Sequence, residues 1–573
     1  MKRIHNIYKK FVLLVAVISG SMMMSCTDFL TIIPPNVIVH ENFWQTKDDV
    51  NGMLATSYLH LVSSDAVSKA IIWGELRADN LVLNASASNN DLKYIIESNL
   101  LDENNYAKWG IYYKAINNAN LVIKYAHLVP ERDPDFSSGD LEVALGEMYA
   151  MRALCHFYLL RTFRDIPLAM VPADNDADLP DYDQVHPLVA LDSIMADLDR
   201  AESRVMASGG SSNKANNYGR ITKNAVLAMK ADVSLWRAAF ATHYLKSGET
   251  ELVNNNDIQS YYTECIDACD KVLVNMDKEY DEEYRDKEVL YDNPYCLLQN
   301  EVEEIKNVKE NKTNTVYEDI FGKKNSLESI FELQVEGKNV ENGYCSGIYS
   351  LYGSNGNSGT LIVSNLLGSK YADTDLRYYS YTNVGAKTGE DEKGDLIVAK
   401  YVASNSDGKK KTWRKSDNFD ANWIVYRKTD VMLMKAEALV AQSSVTDADV
   451  EEAFNIVDAI NKRSKVDPND AAGNLEKPTG ASTMLEMVLD ERLRELTFEG
   501  KRWYDLVRRA LRDNSTDNIT FVTGKLDNAN AVKTRLSSID ALFFPIHIDE
   551  LRFNSNLEQN PVWDNDDSSV EMN

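Results

Sequence analysis

Aromatic side chains in irregular segments are the residues of this sequence best suited to surface chemistry. The chain carries 29 Tyr and 8 Trp among 573 residues. A Tyr or Trp ring offers a flat apolar face with a polar handle. That combination suits the C–H face of a pyranose whose hydroxyls seek donors and acceptors. Tyr344, Tyr349 and Tyr352 fall in the Gly/Ser-rich run GYCSGIYSLYGSNGNSGT (Gly343–Thr360), and Tyr291, Tyr295 and Trp413 fall in other aperiodic stretches. Trp73 shortly precedes Arg77, Asp79 and Asn80. Arg77 and Asp79 are able to offer paired, charge-assisted hydrogen bonds to vicinal hydroxyls. These ten residues are the expected ligand contacts. The competing expectation is structural, because large helical proteins also use Tyr and Trp as core spacers. Most of the aromatics are assigned to the core, and Trp73 suits core packing equally well.

Catalytic signatures are missing. The sequence contains no HExxH, GxSxG, Walker A or CxxC pattern. Gly524–Lys525 is followed by Leu526, where a P-loop needs Ser or Thr for magnesium. Gly353, Gly356 and Gly359 read as loop glycines, and His156, in a helical stretch, reads as a packed core histidine. Asp174, Asp176 and Asp178 have the 1-3-5 spacing of a calcium loop, but Leu179 and Val185 occupy the sixth and twelfth positions, where Gly and Glu belong. A solvated acidic loop is expected there. Carboxylates are abundant, and the separation that would mark a glycosidase pair is not readable from sequence. The chain is therefore expected to bind without catalysing, with no catalytic residues, no metal and no cofactor.

The bulk numbers limit the partners. Lys+Arg is 61 and Asp+Glu is 88, so 61 − 88 leaves a net charge of −27. A chain this acidic repels phosphodiester backbones and anionic lipid heads, which excludes nucleic acid as a partner. Hydrophobic residues make up 44% and charged residues 26%, an ordinary globular composition.

The elements that must position the site begin after an export signal. Lys2, Arg3, Lys9 and Lys10 precede the apolar run Phe11–Ile18, which is too short for a permanent membrane span. Met23–Met24–Ser25–Cys26 resembles a lipobox with Met in place of the commoner Leu, so residues 1–25 are expected as a lipoprotein signal peptide and Cys26 as the lipidated residue. Cys155, Cys265, Cys269, Cys296 and Cys345 then remain. An odd, scattered set does not suggest a disulfide framework.

Helical periodicity dominates about 40–276 and 423–512. In Asp140–Arg164, the residues Leu141, Ala144, Met148, Met151, Cys155 and Tyr158 form one apolar face. Ser137 and Asp140 have capping-box spacing, and Pro167 ends the segment. Further helices are expected over Asp48–Leu61, Trp109–His127, Leu188–Ala207, Thr222–Tyr244, Ser260–Asn275, Val425–Ala441, Asp447–Lys462 and Thr483–Arg512. Periodicity fades over about 277–422 and 513–573, where Gly, Asn, Ser and Tyr rise and short strand-like runs such as Ser329–Val335 and Asp395–Val402 appear. Irregular segments on a rigid scaffold are where binding sites tend to sit.

Several distinctive segments follow one another along nearly the whole chain after residue 25. They start with Cys26–Leu30, Phe43–Trp44-x-Thr46 and Trp109-x-x-x-Tyr113-x-x-Ile116-x-x-Ala119–Asn120. Next come Met151–Arg152–Ala153-x-x-x-Phe157–Tyr158, Phe163-x-Asp165–Ile166–Pro167–Leu168 and Gly219–Arg220-x-Thr222–Lys223-x-Ala225. The most specific are Tyr426–Arg427-x-x-Asp430–Val431 with Ala436–Glu437–Ala438, Glu491–Arg492-x-Arg494–Glu495–Leu496-x-Phe498–Glu499–Gly500-x-Arg502, and Phe544–Pro545–Ile546 through Asn560–Pro561.

Taken together and in this order, these segments resemble the SusD/RagB family of nutrient-binding lipoproteins, and the resemblance implies a mainly α fold, a tetratricopeptide-like helical-repeat scaffold with a loop-rich irregular ligand-binding face, occupying 26–573 as one domain. It implies an outer-membrane lipoprotein facing the cell exterior. Such a protein captures an oligosaccharide and delivers it to a SusC-like TonB-dependent transporter. Peptide capture, known in one branch of the family, and a non-transport surface adhesin are the alternatives. Arg427, Asp430, Glu437, Glu495 and Arg502 are expected as buried ion pairs between helices rather than as ligand contacts.

Overall fold

The computed structural model describes residues 43–173, 181–208, 219–253, 255–299 except 285–293, 316–335, 346–384, 396–406, 411–465, 468–469 and 471–564. The chain divides into a short unit, residues 1–45, and a large one, residues 46–573. In the short unit the rings of Phe43 and Trp44 meet edge to edge-face at 5.2 Å. Everything below concerns the large unit. Cys26, Tyr291, Tyr344, Cys345 and the Asp174–Asp178 loop lie outside the described residues.

Helix starts follow the capping chemistry. Helix α1 (Lys47–Val62) opens with Thr46 and Asp49 bonding each other's backbone N–H groups. Helix α2 is Ser64–Ile71, α3 is Asn90–Ile96 and α4 is Gly110–Tyr125. Helix α5 (Ser138–Phe163) opens with the Ser137–Asp140 capping box that its sequence predicts. Then come α6 (Pro187–Glu202), α7 (Lys223–Ser247) and α8 (Asn255–Tyr284). After the irregular region, which holds α9 (Ser346–Tyr352) and α10 (Leu376–Tyr381), the C-terminal part adds α11 (Lys428–Ala441), α12 (Asp447–Arg463), α13 (Ala481–Leu496) and α14 (Arg502–Asp513).

These helices form a chain of neighbours. Helix α1 packs on α4, α4 on α5, α5 on α6, α6 on α7, α7 on α8, α8 on α11, and α11 on both α12 and α13. The fold is thus mainly helical, and every sheet among the described residues has two strands. No described helix is long and apolar enough to cross a membrane.

Two predicted helices are corrected. Val425–Ala441 begins as a strand, Trp423–Arg427, paired antiparallel with Ser329–Leu333, and becomes helical at Lys428. A short, fully buried apolar run carries no periodicity that distinguishes strand from helix. Thr483–Arg512 is two helices, because Phe498 (φ 70°) and Gly500 (φ 73°) turn the backbone left-handed between them. The turn is set by contact with a distant segment. A Cβ on Gly500 would sit 2.8 Å from the Ala70 carbonyl oxygen, and one on Gly74 would collide with the Gly500 carbonyl. Glycine at both positions lets the two backbones touch.

The motif carboxylates and guanidinium groups lie inside. Glu495 accepts from Arg427 at 2.6 Å, Arg463 at 2.5 Å and Arg377 at 3.0 Å. Glu499 accepts from Arg427 at 2.8 Å and from Lys400 at 2.6 Å. Asp430 pairs with Lys501 at 2.8 Å and Arg492 at 3.1 Å, and Glu437 pairs with Arg508 at 2.6 Å. Burial opposes ionisation of Glu495, but Arg463, Arg427 and Arg377 overcome it and hold the carboxyl well below the usual range. The expected buried ion pairs are present. His156, Cys155, Cys265 and Cys269 are core residues as read from sequence, and burial pushes the His156 imidazole down to about 3.

Candidate functional site

The Gly/Ser-rich run folds into a small helix and a tight hairpin. In α9, Ile348, Leu351 and Tyr352 are buried, which leaves Tyr349 and Ser350 on the outward side. The chain then forms two short strands, Gly353–Ser354 and Asn357–Ser358. The two residues between them, Asn355 (φ 55°) and Gly356 (φ 75°), both have positive φ. An Asn-Gly pair in that conformation matches the right-handed twist of a two-residue hairpin. Gly356 lies under an indole, since a Cβ there would approach Trp413 Nε1 to 3.0 Å. Trp413 is in turn held by its neighbour: Asn355 N–H donates to the Arg414 carbonyl at 2.9 Å. The Arg414 guanidinium is buried against Asp420 and the carbonyls of Tyr401, Ala403 and Phe321.

A second segment closes against this hairpin. Strand Leu81–Leu83 pairs antiparallel with Leu361–Val363. Asn84 extends the seam, donating its side-chain amide to Ser358 Oγ at 2.9 Å and to the Gly359 carbonyl at 3.2 Å. Its side-chain oxygen accepts from Ser86 N–H at 3.1 Å, which turns the chain back over the hairpin. Asn89 then caps α3 by accepting from Leu92 N–H at 3.2 Å.

Between the two segments lies an open cleft of about 490 Å³, lined by Ser86–Asn89, Tyr349, Ser350, Gly353, Ser354 and Asn357–Thr360. That volume falls in the roughly 300–1,000 Å³ range of small-molecule sites. Its described lining holds six aliphatic hydroxyls, the Tyr349 phenol and two carboxamides, and no charged side chain. Each of these groups both donates and accepts hydrogen bonds. The half-buried Tyr349 ring supplies a flat apolar face, steadied by Phe419 at 5.6 Å between centroids. No group in the described lining is a carboxylate, a histidine or a cysteine, and its side chains offer hydrogen bonds and one ring face. Among the described residues, no cluster of His, Cys, Asp and Glu is suited to a metal.

The structure separates the expected contacts. Tyr349 lines the cleft, and Trp413 sits on the hairpin that forms one wall. Tyr295 is elsewhere, half-buried beside Glu452 and Lys435. Five expected contacts are interior residues, which corrects their reading as ligand groups. Trp73 is 1% exposed and donates its indole N–H to the Tyr106 carbonyl at 2.9 Å. Arg77 donates to the carbonyls of Leu542 and Ala541 and lies over the Trp503 ring. Asp79 is paired with Arg502 at 2.9 Å, and Asn80 donates to Thr497 at 3.0 Å. Tyr352 donates to the Phe498 carbonyl at 3.1 Å. The polar groups of Arg77, Asp79, Asn80 and Tyr352 are taken up by the C-terminal segment, which lies more than 400 residues away in sequence from the first three. The residues missed were Ser86, Ser88, Asn89 and Asn357. The Asn355–Gly356 hairpin signal marks one wall; nothing local marks the other.

Comparison with known proteins gives a consistent result. Residues 310–563 match the model of the SusD family, and residues 28–235 match a family described as starch-binding, associating with outer membrane. The chain is 26% identical to SusD-like protein P38 of Formosa agariphila, over 98% of this chain and 99% of that one. It is 22% identical to SusD-like protein P2 of the same organism, over 85% and 88% respectively. Among solved structures, it superposes on a SusD homolog from Bacteroides thetaiotaomicron with a TM-score of 0.65 at 16% identity, covering 91% of this chain and 98% of that one. Surface glycan-binding protein A from Bacteroides uniformis gives a TM-score of 0.64 at 16% identity, covering 90% and 100%. At those identities the two structures speak for the fold.

Proposed function

The chain belongs to the SusD family, and from that premise we propose that it is a glycan-binding lipoprotein which captures oligosaccharide in the cleft beside Tyr349 and hands it to a SusC-like TonB-dependent transporter. The observation that carries this reading is the lining of the cleft: hydroxyls and carboxamides around one accessible ring. Sugar hydroxyls present donors and acceptors around the ring, and a pyranose face is apolar. A wall of two-way hydrogen-bonding groups with an aromatic floor complements both features.

Attachment through Cys26 and association with the outer membrane complete the proposal. The lipobox-like Met23–Cys26 and the description of the family matched by residues 28–235 support them. Acyl chains on Cys26 anchor stably, because each buried CH₂ contributes about 0.8 kcal/mol.

Calorimetric titration of the full chain in detergent against oligosaccharides and, in parallel, short peptides tests the reading. Saturable binding of one glycan class, weakened at least tenfold by Tyr349→Ala or Asn357→Ala, is expected. Binding of peptides alone would replace this reading with peptide capture.

A further inference from the structure

Resting on the glycan reading, we infer that the cleft selects uncharged oligosaccharides and discriminates against glycans bearing uronate, sulfate or sialate groups. Three observations lead there. The described lining offers Ser, Thr, Asn and Tyr side chains and no Lys, Arg or His. An anionic sugar entering it would lose water around its charge and meet no counter-charge in return. The chain as a whole carries −27, so the long-range field adds repulsion to that local deficit.

The third observation concerns Arg414, a cation beside the site. Arg414 follows Trp413 in sequence and its carbonyl accepts from Asn355 in the hairpin turn, yet the residue is only 5% exposed. It points inward, to Asp420 at 2.7 Å and to backbone carbonyls, including Phe321 at 2.9 Å. A guanidinium aimed into the cleft would give bidentate recognition of a carboxylate or sulfate. Here the same group fixes the scaffold behind the indole. The selectivity thus follows from what faces the ligand. Ser88 and Asn357, both exposed on the cleft, are the positions where one substitution would reverse it.

The experiment compares matched ligands on the full chain: neutral xylo-, cello-, malto- and manno-oligosaccharides against oligogalacturonide and a sulfated oligosaccharide, at low and at physiological salt. A neutral glycan is expected to bind about tenfold or more tightly than any anionic one, with a gap that narrows as salt screens the field. Ser88→Lys is expected to raise affinity for the anionic ligands and to leave Tyr349→Ala sensitivity in place. Equal or tighter binding of an anionic glycan to the wild type would overturn the selectivity while sparing glycan binding itself. Neutral binding that survives both Tyr349→Ala and Asn357→Ala would remove the cleft as the selecting site. Silence toward every glycan, from a chain that unfolds cooperatively, would overturn the glycan reading beneath the inference.

Discussion

Two polar regions of the molecule are built on opposite rules. Around Glu495 and Glu499, full charges are buried with full charges: Arg377, Arg427, Arg463 and Lys400 meet the carboxylates at 2.5–3.0 Å with almost no solvent contact. Around Tyr349, the described lining is entirely uncharged and open to water. A buried ion pair is stable only with its partner in place, so it specifies one arrangement of helices α10, α12 and α13 and the strand before α11. An uncharged hydroxyl or amide tolerates water as a partner, so the cleft lining needs no fixed counter-charge. The difference puts full charge in the architecture and neutral polarity at the proposed binding site.

Substitution should break that division cleanly. Glu495→Ala leaves three cations without their shared carboxylate. A loss of about 3–5 kcal/mol of stability is expected in chemical denaturation. Should Glu495→Ala abolish folding, Glu499→Gln provides the graded test. A stability loss under 1 kcal/mol would show that the layer is not holding the helices. Gly356→Val is the intermediate case. It forces a β-branched residue to positive φ under Trp413 and should cost about 1–3 kcal/mol, together with most glycan affinity. Loss of affinity without loss of stability would sharpen the comparison by showing that the hairpin is a pure recognition element.

Acid separates the regions further. Asp79, Asp430, Glu491, Glu495 and Glu499 are held below their usual range after burial is opposed by their cationic partners. A depressed carboxylate contributes stability that is present above its unfolded pKa and lost as pH falls toward the folded one. Stability should therefore decline as pH drops below about 4.5, read by denaturant midpoints. Glycan affinity should stay flat between about pH 5 and 8, because the described lining holds no carboxylate, histidine, cysteine or lysine. The smallest effect expected is from Ser137→Ala, about 1 kcal/mol for the lost N-cap of α5, with affinity unchanged.

The sequence was most informative where the structure is most charged. Arg427, Asp430, Glu437, Glu495 and Arg502 lie in recognisable motifs, and all five are buried in ion pairs. The capping box at Ser137 was legible in local spacing. The site was harder. Ser86, Ser88 and Asn357 are ordinary loop residues, and the pairing of Leu81–Leu83 with Leu361–Val363 that brings them together has no local signal. Trp73, Arg77 and Asp79 looked like ligand chemistry because their partners, Tyr106, Leu542 and Arg502, are fixed by tertiary contact alone.

The backbone contact of Gly74 with Gly500 has a consequence for how such a scaffold forms and changes. An open array of stacked helix pairs folds locally and tolerates gain or loss of a repeat. Here Glu75 accepts the N–H groups of Gly500 and Lys501, and Lys525 donates to the carbonyls of Leu76 and Leu81. Contacts separated by more than 400 residues raise the contact order and so slow folding. They also tie residues 75–81 to residues 500–525. A chain truncated before residue 500 lacks the groups that satisfy Glu75.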